Sequence, residues 1–432
     1  MGSKKTHWWY PMVLLSLLSA VHHSPPFCSA ALKNPNPPPP KAVIPQSLAG
    51  RRSISSAVFP VLGNIYPDGL YYVSLGIGDP PKPYYLDIDT GSDVTWIQCD
   101  APCVSCVKGP HPPYKPKKEK LVPCIDALCE AIHGNEDYPC ENPNDQCDYE
   151  VEYADKGSSL GVLVKDAFSV RFTNGSLLQP KLAFGCGYDQ QGFGSPSPWD
   201  GVLGLGRGKS SIVTQLRDQG LIRNVIGHCF GSRGGGYLFL GDDLVPSSGV
   251  AWAPMSRSQS QKHYSAGQAN VYFGKQSLGI RDFSVVFDSG SSYTYFSSRA
   301  YRALISRLKK DLPAKVLKEA PEDTTLPVCW KGVRPFKSIN DVKAYFKPLT
   351  LSFTSAKNAL LEIPPERYLI LTSRGNVCLG ILNGTQAGLK DLNIIGDISM
   401  QDLMVIYDNE KNQIGWIPVD CKRLPKSGTV FL

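Results

Sequence analysis

From Val58 onward the chain is written in short apolar runs with every second position polar or small: "YYVSLGIG", "PYYLDID", "CDYEVEYA", "LGVLVKDAFSVRF", "KLAFGCG", "GYLFLGD" and "SVVFDSG". A period of two places alternate side chains on opposite faces, so each run reads as a half-buried strand, bounded by Gly, Pro and Asp. Helical spacing is rare. In "SSRAYRALISRLKKDL", Tyr301, Leu304, Ile305 and Leu308 fall at i, i+3, i+4 and i+7, with Ser297 or Ser298 as N-cap. A shorter helix is expected from Ser211 to Gln219, where Ile212, Val213 and Leu216 share a face and Gly220 supplies the stop. The pattern therefore predicts an all-β protein with two packing helices.

One strand pattern occurs twice. "LDIDTGSDVTWIQ" ends an apolar run at Asp89, and "SVVFDSGSSYTYF" does the same at Asp288, 199 residues later. Each is followed, after 115 and 108 residues respectively, by two apolar residues and a Gly, at Gly204 in "WDGVLGLG" and Gly396 in "LNIIGDI". A single Asp-Thr/Ser-Gly-Ser is ordinary turn chemistry. Its recurrence with matching downstream elements points to two related lobes.

Length agrees, since 432 residues exceed one ordinary domain. The 40 Gly and 36 Pro suit many strands joined by turns. At the N-terminus two Lys, the apolar run Met12 to Val21 and the small residues Cys28, Ser29 and Ala30 have the order of a secretory signal, so residues 1–30 are read as a signal peptide. "LKNPNPPPPKAVIPQ" makes residues 31–60 a Pro-rich pro-segment or linker, with Arg51 and Arg52 as a processing point. The N-terminal lobe is placed at 61–255 and the C-terminal lobe at 256–432. No further stretch approaches membrane-spanning length, so a soluble, secreted product without a stable membrane anchor is expected, extracellular in a cell wall or apoplast, or vacuolar.

Twelve of the thirteen Cys lie beyond the signal: Cys99, Cys103, Cys106, Cys124, Cys129, Cys140, Cys147, Cys186, Cys229, Cys329, Cys378 and Cys421. "CDAPCVSC" and "CIDALC" have zinc-like spacing, but secretion and an even count favour disulfides, with connectivity left open. No metal or cofactor is expected. The net charge of +7 is scattered apart from "YKPKKEK" near Lys117, and no basic and aromatic interleaving marks a nucleic-acid module. Asn174 and Asn383 head Asn-Gly-Ser and Asn-Gly-Thr sequons, sites for glycosylation in a secreted chain.

If the two turns face each other, the carboxyls of Asp89 and Asp288 approach and repel, so the pair holds one proton in acid. Such a pair is an acid and a base together: one member deprotonates a water while the other polarises an amide carbonyl. Thr90 and Ser289 continue the turns, Gly91 and Gly290 allow close backbone approach, and Ser92 and Ser291 offer short hydroxyl donors to the outer carboxyl oxygens.

On these residues the resemblance is explicit. "DIDTGSDVTWIQC", "VEYADKGSSLGVLVKD", "WDGVLGLGR", "VVFDSGSSYTYF" and "NIIGDISMQDLMVIYDNEKNQIGWIP" run from Tyr71 to Trp416 in the order of a pepsin-type aspartic protease, and their details resemble the plant nucellin-like branch. Two carboxyls sharing one proton are the established behaviour of that family, so this part of the chemistry comes with the resemblance. The resemblance implies a bilobal pepsin-like fold with the active-site cleft between the β lobes, a polypeptide as substrate, a monomer, and a hairpin closing the cleft. It places the hairpin Tyr at Tyr153 with Trp96 as hydrogen-bonding partner, although "EYADKGSSLG" departs from the usual short Tyr-Gly turn. It treats Cys99 to Cys147 as a Cys-rich insertion, gives the second lobe a Cys329–Cys378 bridge and brings Cys229 within reach of Cys421. The pro-segment lacks the basic helical pattern of pepsin-type zymogens, so activation is left open.

Competing chemistry is thin. "GSSLG" around Ser159 matches Gly-x-Ser-x-Gly, but a nucleophile elbow joins a strand to a helix, whereas here the pattern continues as a strand. "GLGRGKS" at Gly204 to Ser210 lacks a full phosphate-loop signature. The expected function is a secreted endopeptidase active in acid, and its rival is the same fold used without catalysis, for binding or inhibition.

Overall fold

The computed structural model describes residues 55–425, except 107, 135–139, 194–196, 257–262 and 357–358. The expected signal peptide, Cys28 and the Arg51–Arg52 pair lie outside the described residues.

The alternating runs fold as strands. Leu70–Ile77 and Lys82–Asp89 form an antiparallel pair with Val73 opposite Leu86 and Leu75 opposite Tyr84. Leu75, Tyr84, Leu86 and Ile88 are buried in the first-half core. The chain turns at Asp89 and returns through Trp96–Gln98, while Gly201–Gly204 runs between the two arms, parallel to the first and antiparallel to the second. The second half repeats this arrangement. Phe283–Phe287 leads to Asp288, Thr294–Phe296 returns, and Asn393–Ile395 lies between them, parallel to the first and antiparallel at the Tyr295–Ile394 pairing.

The two recurring glycines follow from that crowding. A Cβ at Gly204 would lie 2.6 Å from the Asp93 carbonyl carbon, and one at Gly396 would lie 2.0 Å from the Tyr293 carbonyl oxygen. The middle strand thus meets its return arm at the same point in each half, and only glycine fits there.

Three sheets are present among the described residues, the largest having 14 strands. That sheet crosses the pseudo-symmetry: Leu403–Asp408, near the C-terminus, pairs with Val225–Phe230, placing Tyr407 opposite Ile226. Gln413–Pro418 extends it. An 8-stranded sheet carries the second Asp turn, and a 4-stranded sheet holds Cys329–Lys331 against Val377–Leu379. The architecture is the expected all-β, bilobal pepsin-like one.

Both expected helices form, as Ile212–Asp218 and Ser298–Asp311, with Ile212, Val213 and Leu216 buried in one and Leu304 and Leu308 in the other. Ser297 takes the N-cap position of the longer helix, without a side-chain capping bond. A helix that the pattern does not predict, Ala127–His133, lies in the Cys-rich segment, where Asp126 caps it by accepting from the Leu128 N–H at 2.8 Å.

The twelve cysteines form six disulfides: Cys99–Cys186, Cys103–Cys106, Cys124–Cys140, Cys129–Cys147, Cys229–Cys421 and Cys329–Cys378. His133 lies beside Cys129 and Cys147, but both sulfurs are spent in the bridge, so the zinc-like spacing has a covalent explanation. Among the described residues no helix is long and apolar enough to cross a membrane.

Candidate active site

Each turn aims its Asp at the other. In the first, the Gly91 N–H donates to Asp89 Oδ1 at 2.8 Å and the Ser92 hydroxyl donates to Oδ2. In the second, the Gly290 N–H donates to Asp288 Oδ1 at 3.0 Å and the Ser291 hydroxyl to Oδ2 at 2.8 Å. Two residues and three residues after each Asp, the same donor types serve the same oxygens. The local sequence thereby fixes each carboxyl with charge-assisted bonds.

The residues between those donors lock the turns together. The Thr90 N–H donates to Ser289 Oγ at 3.1 Å and the Ser289 N–H donates to Thr90 Oγ1 at 3.0 Å. Each hydroxyl then reaches across to a strand carbonyl, Thr90 to Phe287 at 3.3 Å and Ser289 to Ile88 at 2.8 Å. These reciprocal bonds across the interlobe boundary leave the turns little freedom to slide.

Asp89 is fully buried and Asp288 is 1% exposed, and the Gly290 backbone sits against both carboxyls, since a Cβ there would fall 2.5 Å from Asp89 Oδ1 and 3.4 Å from Asp288 Oδ1. Two buried carboxyls held this close cannot both ionise without strong repulsion, so one keeps a proton. Burial first, and the Asp89 charge second, push the affinity of Asp288 for its proton well above the ordinary carboxyl range. The arrangement is a one-proton pair able to accept and donate simultaneously.

Tyr153 closes one side. It follows the strand Asp148–Glu152, and the hairpin continues into Ser158–Arg171. The tip departs from a short Tyr-Gly turn but is well bonded, with the Tyr153 N–H donating to the Gly157 carbonyl at 2.7 Å and the Lys156 N–H to the Tyr153 carbonyl at 2.9 Å. The Tyr153 hydroxyl accepts from Trp96 Nε1 at 2.6 Å. Burial and the Asp89 charge hold that hydroxyl well above its usual range, so it keeps its proton. Phe193 meets the Tyr153 ring edge-on at 5.9 Å and Trp199 meets Trp96 at 5.8 Å, making an aromatic wall around the Tyr153–Trp96 bond.

Ser159 lies inside the strand Ser158–Arg171, shares a 2.9 Å hydrogen bond with the Tyr149 hydroxyl, and is buried. The chain there runs on as a strand and makes no strand-to-helix elbow. Asn174 heads an exposed turn, accepting from the Ser176 N–H at 2.9 Å, whereas Asn383 ends a strand and accepts from the Ser298 hydroxyl at 2.9 Å. Two buried carboxyls near the pair, Asp87 and Asp397, are additions of the structure to the residues expected from the sequence. The available signal is an Asp inside an otherwise apolar run at "YLDID" and again in "IIGDI".

Known proteins resemble this chain over most of its length. Residues 71–242 match a family model described as xylanase inhibitor N-terminal, and residues 265–418 one described as xylanase inhibitor C-terminal. The chain is 47% identical over 386 residues to an aspartic proteinase of Oryza sativa subsp. japonica, covering 86% of this chain and 93% of that protein. It is 28% identical over 394 residues to aspartic proteinase 39 of Arabidopsis thaliana, covering 86% and 79%. Among solved structures, basic 7S globulin from soybean superposes with a TM-score of 0.66 at 16% identity, over 87% of this chain and all of that one. The aspartic proteinase from Irpex lacteus does so at 0.59 and 17%, over 85% and 98%. Fold and site define a two-lobed protein with a buried aspartate pair where the two halves meet. The chain belongs to the pepsin-type (A1) aspartic proteinase family.

Proposed function

We propose that this chain is an endopeptidase of the plant nucellin-like type that hydrolyses polypeptides in acid, using a water held between Asp89 and Asp288. The observation that carries this reading is the meeting of two buried carboxyls at one point between the halves, each braced by a backbone N–H and a serine hydroxyl. In the reaction, the ionised carboxyl takes a proton from the water as its oxygen bonds to the peptide carbonyl carbon. The protonated carboxyl gives its proton to the carbonyl oxygen. The resulting diol re-forms a carbonyl as the C–N bond breaks and the departing nitrogen takes a proton from the pair. Tyr153 and the aromatic wall exclude other water.

The N-terminal segment is read as a secretory signal, which sends the chain to the cell exterior or the vacuole. Asn174, in its exposed turn, is then the more accessible sequon.

A rival reading has support of its own, because the matching family models are described as xylanase inhibitor domains. A binding protein of this fold has no need of a proton-sharing pair, which is why the peptidase reading is preferred. The test is digestion of an unfolded protein substrate between pH 3 and 7, with Asp89→Asn, Asp288→Asn and a statine-type transition-state mimic as controls. Turnover in acid that each substitution lowers at least ~1,000-fold and the mimic blocks is expected. Turnover surviving both substitutions would overturn the mechanism, and tight capture of a partner enzyme without turnover would establish the rival.

A further inference from the structure

The strand that delivers Asp89 carries a second acid that the mechanism above does not use. Asp87 lies two residues earlier in Lys82–Asp89, so the two carboxyls leave the same face of the strand. It stands opposite Tyr72 on one neighbouring strand and Val202 on the other, and it is 2% exposed. The charges it feels most are Asp89 and then Asp288.

A second carboxyl arrives from the other half. Asp397 is 1% exposed, its Oδ1 has no hydrogen-bond partner among the described residues, and the charge it feels most is that of Asp87, ahead of Asp288 and Asp89. The titratable groups around Asp87 are Tyr85 and Asp89 on its own strand, Tyr72 on the adjacent strand, Tyr153 on the hairpin, Asp288 on the opposing turn and Asp397. All are acids, and none of these groups brings a compensating cation.

The internal repeat supplies a control that shows the fold does not require this acid. Counting back two residues from Asp288 gives Val286, which is buried in the same position of the second half. The reverse holds for Asp397: register sets Gly204 opposite Asp89, and the next residue, equivalent to Asp397, is the buried Leu205. Each half thus replaces with a carboxyl an aliphatic side chain that its counterpart keeps. An uncompensated buried acid is costly, so its presence where valine fits points to a use.

We propose that Asp87 is a positioning residue for the peptidase chemistry, a third carboxyl whose ionisation sets the upper end of the pH range over which Asp89 and Asp288 hold one proton. The proposal rests on the peptidase reading. Below its own titration Asp87 is neutral and the pair behaves alone. Once ionised, it adds a negative charge beside the pair and makes the last shared proton harder to lose, extending activity toward neutral pH. Burial and the neighbouring acids both delay that ionisation, placing it above the ordinary carboxyl range.

The experiment compares the pH profile of kcat/KM for the full chain, Asp87→Asn and Asp87→Val, the latter copying the second-half residue Val286. Both variants are expected to move the alkaline limb to lower pH by about one unit while retaining turnover in acid. A lowered rate with an unmoved limb in both would overturn the proposal and leave Asp87 as packing. A second measurement does not depend on turnover. A carboxyl that keeps its proton in the folded state costs stability as pH rises past the unfolded carboxyl range, so the melting temperature of Asp87→Asn minus that of wild type is expected to increase between pH 4 and 7. A difference flat with pH would overturn the proposal even if wild type proved to be a non-catalytic binder, whereas absent turnover alone would overturn only the peptidase reading.

Discussion

A Cβ built on Gly290 falls 2.5 Å from Asp89 Oδ1 and 3.4 Å from Asp288 Oδ1, which places the backbone of one turn directly against the carboxyl of the other. Gly290→Ala must therefore push Asp89 away from its partner. A displacement of about 1 Å at reacting atoms costs on the order of 100-fold in rate, so kcat/KM should fall by at least that much. The melting temperature should move little by comparison, because the strain relaxes into the cleft. Equal losses in both would show that the turn is structural first. At this scale the sequence is most informative where it repeats itself. Asp89, Thr90, Gly91 and Ser92 meet Asp288, Ser289, Gly290 and Ser291 because the same tetrapeptide serves the same geometry twice. Asp87 is not legible in this way, because alternation reports only that a residue faces one side of a strand, not that acids from distant segments gather there.

The hairpin shows what an element adds to its residues. Tyr153→Phe keeps the ring but removes the acceptor for Trp96 Nε1, a buried donor then left unpaired at a cost of about 1–3 kcal/mol. The hairpin should close less completely, with kcat/KM reduced roughly 10-fold. Trp96→Phe, which removes the donor instead, should produce a similar loss, and the double variant should be no worse than either single. Additive losses would mean that the bond does not hold the hairpin. Strands are legible because period two survives in half-buried sheet, as in Leu70–Ile77 and Ser158–Arg171. The helix Ala127–His133 is not, although Asp126 is a good N-cap. Its seven residues give barely two turns of periodicity, and the Cys129–Cys147 bridge supplies the anchoring that a longer apolar face would otherwise have to announce.

The whole molecule depends on the sheet in which strands of the second half join those of the first. Connectivity of this kind has no periodic signature, so the pairing of Val225–Phe230 with Leu403–Asp408 cannot be read from either segment. The Cys229–Cys421 bridge, spanning 192 residues, ties the same region. Replacing both cysteines with serine should cost on the order of 4–5 kcal/mol by loop entropy, visible as a melting temperature lowered by about 5 °C or more. Within the same sheet His228 is completely buried. Its Nε2 lies 3.1 Å from the Tyr407 hydroxyl, its Nδ1 has no partner among the described residues, and its ring stacks on Phe230 at 4.2 Å. Tyr407 in turn interacts with Thr90, so this imidazole sits behind the paired Asp turns. Burial pushes the His228 pKa down to about 3 from 6.5. The buried carboxyls and this histidine therefore act in opposite directions as the medium acidifies. Asp87, Asp288 and Asp397, with affinities raised by burial, favour the folded state in acid. His228 opposes them: between pH 6.5 and about 3 the unfolded chain takes up a proton there that the folded chain refuses, and stability falls by about 1.4 kcal/mol per pH unit from this group alone. His228→Asn removes that proton uptake. Relative to wild type, the variant should therefore gain roughly 2 °C in melting temperature for each unit the pH is lowered across that window, whatever constant packing loss it carries. A difference between the two proteins that does not change with pH would mean that His228 titrates alike in the folded and unfolded chains, and the acid limit of the fold would then have to lie elsewhere.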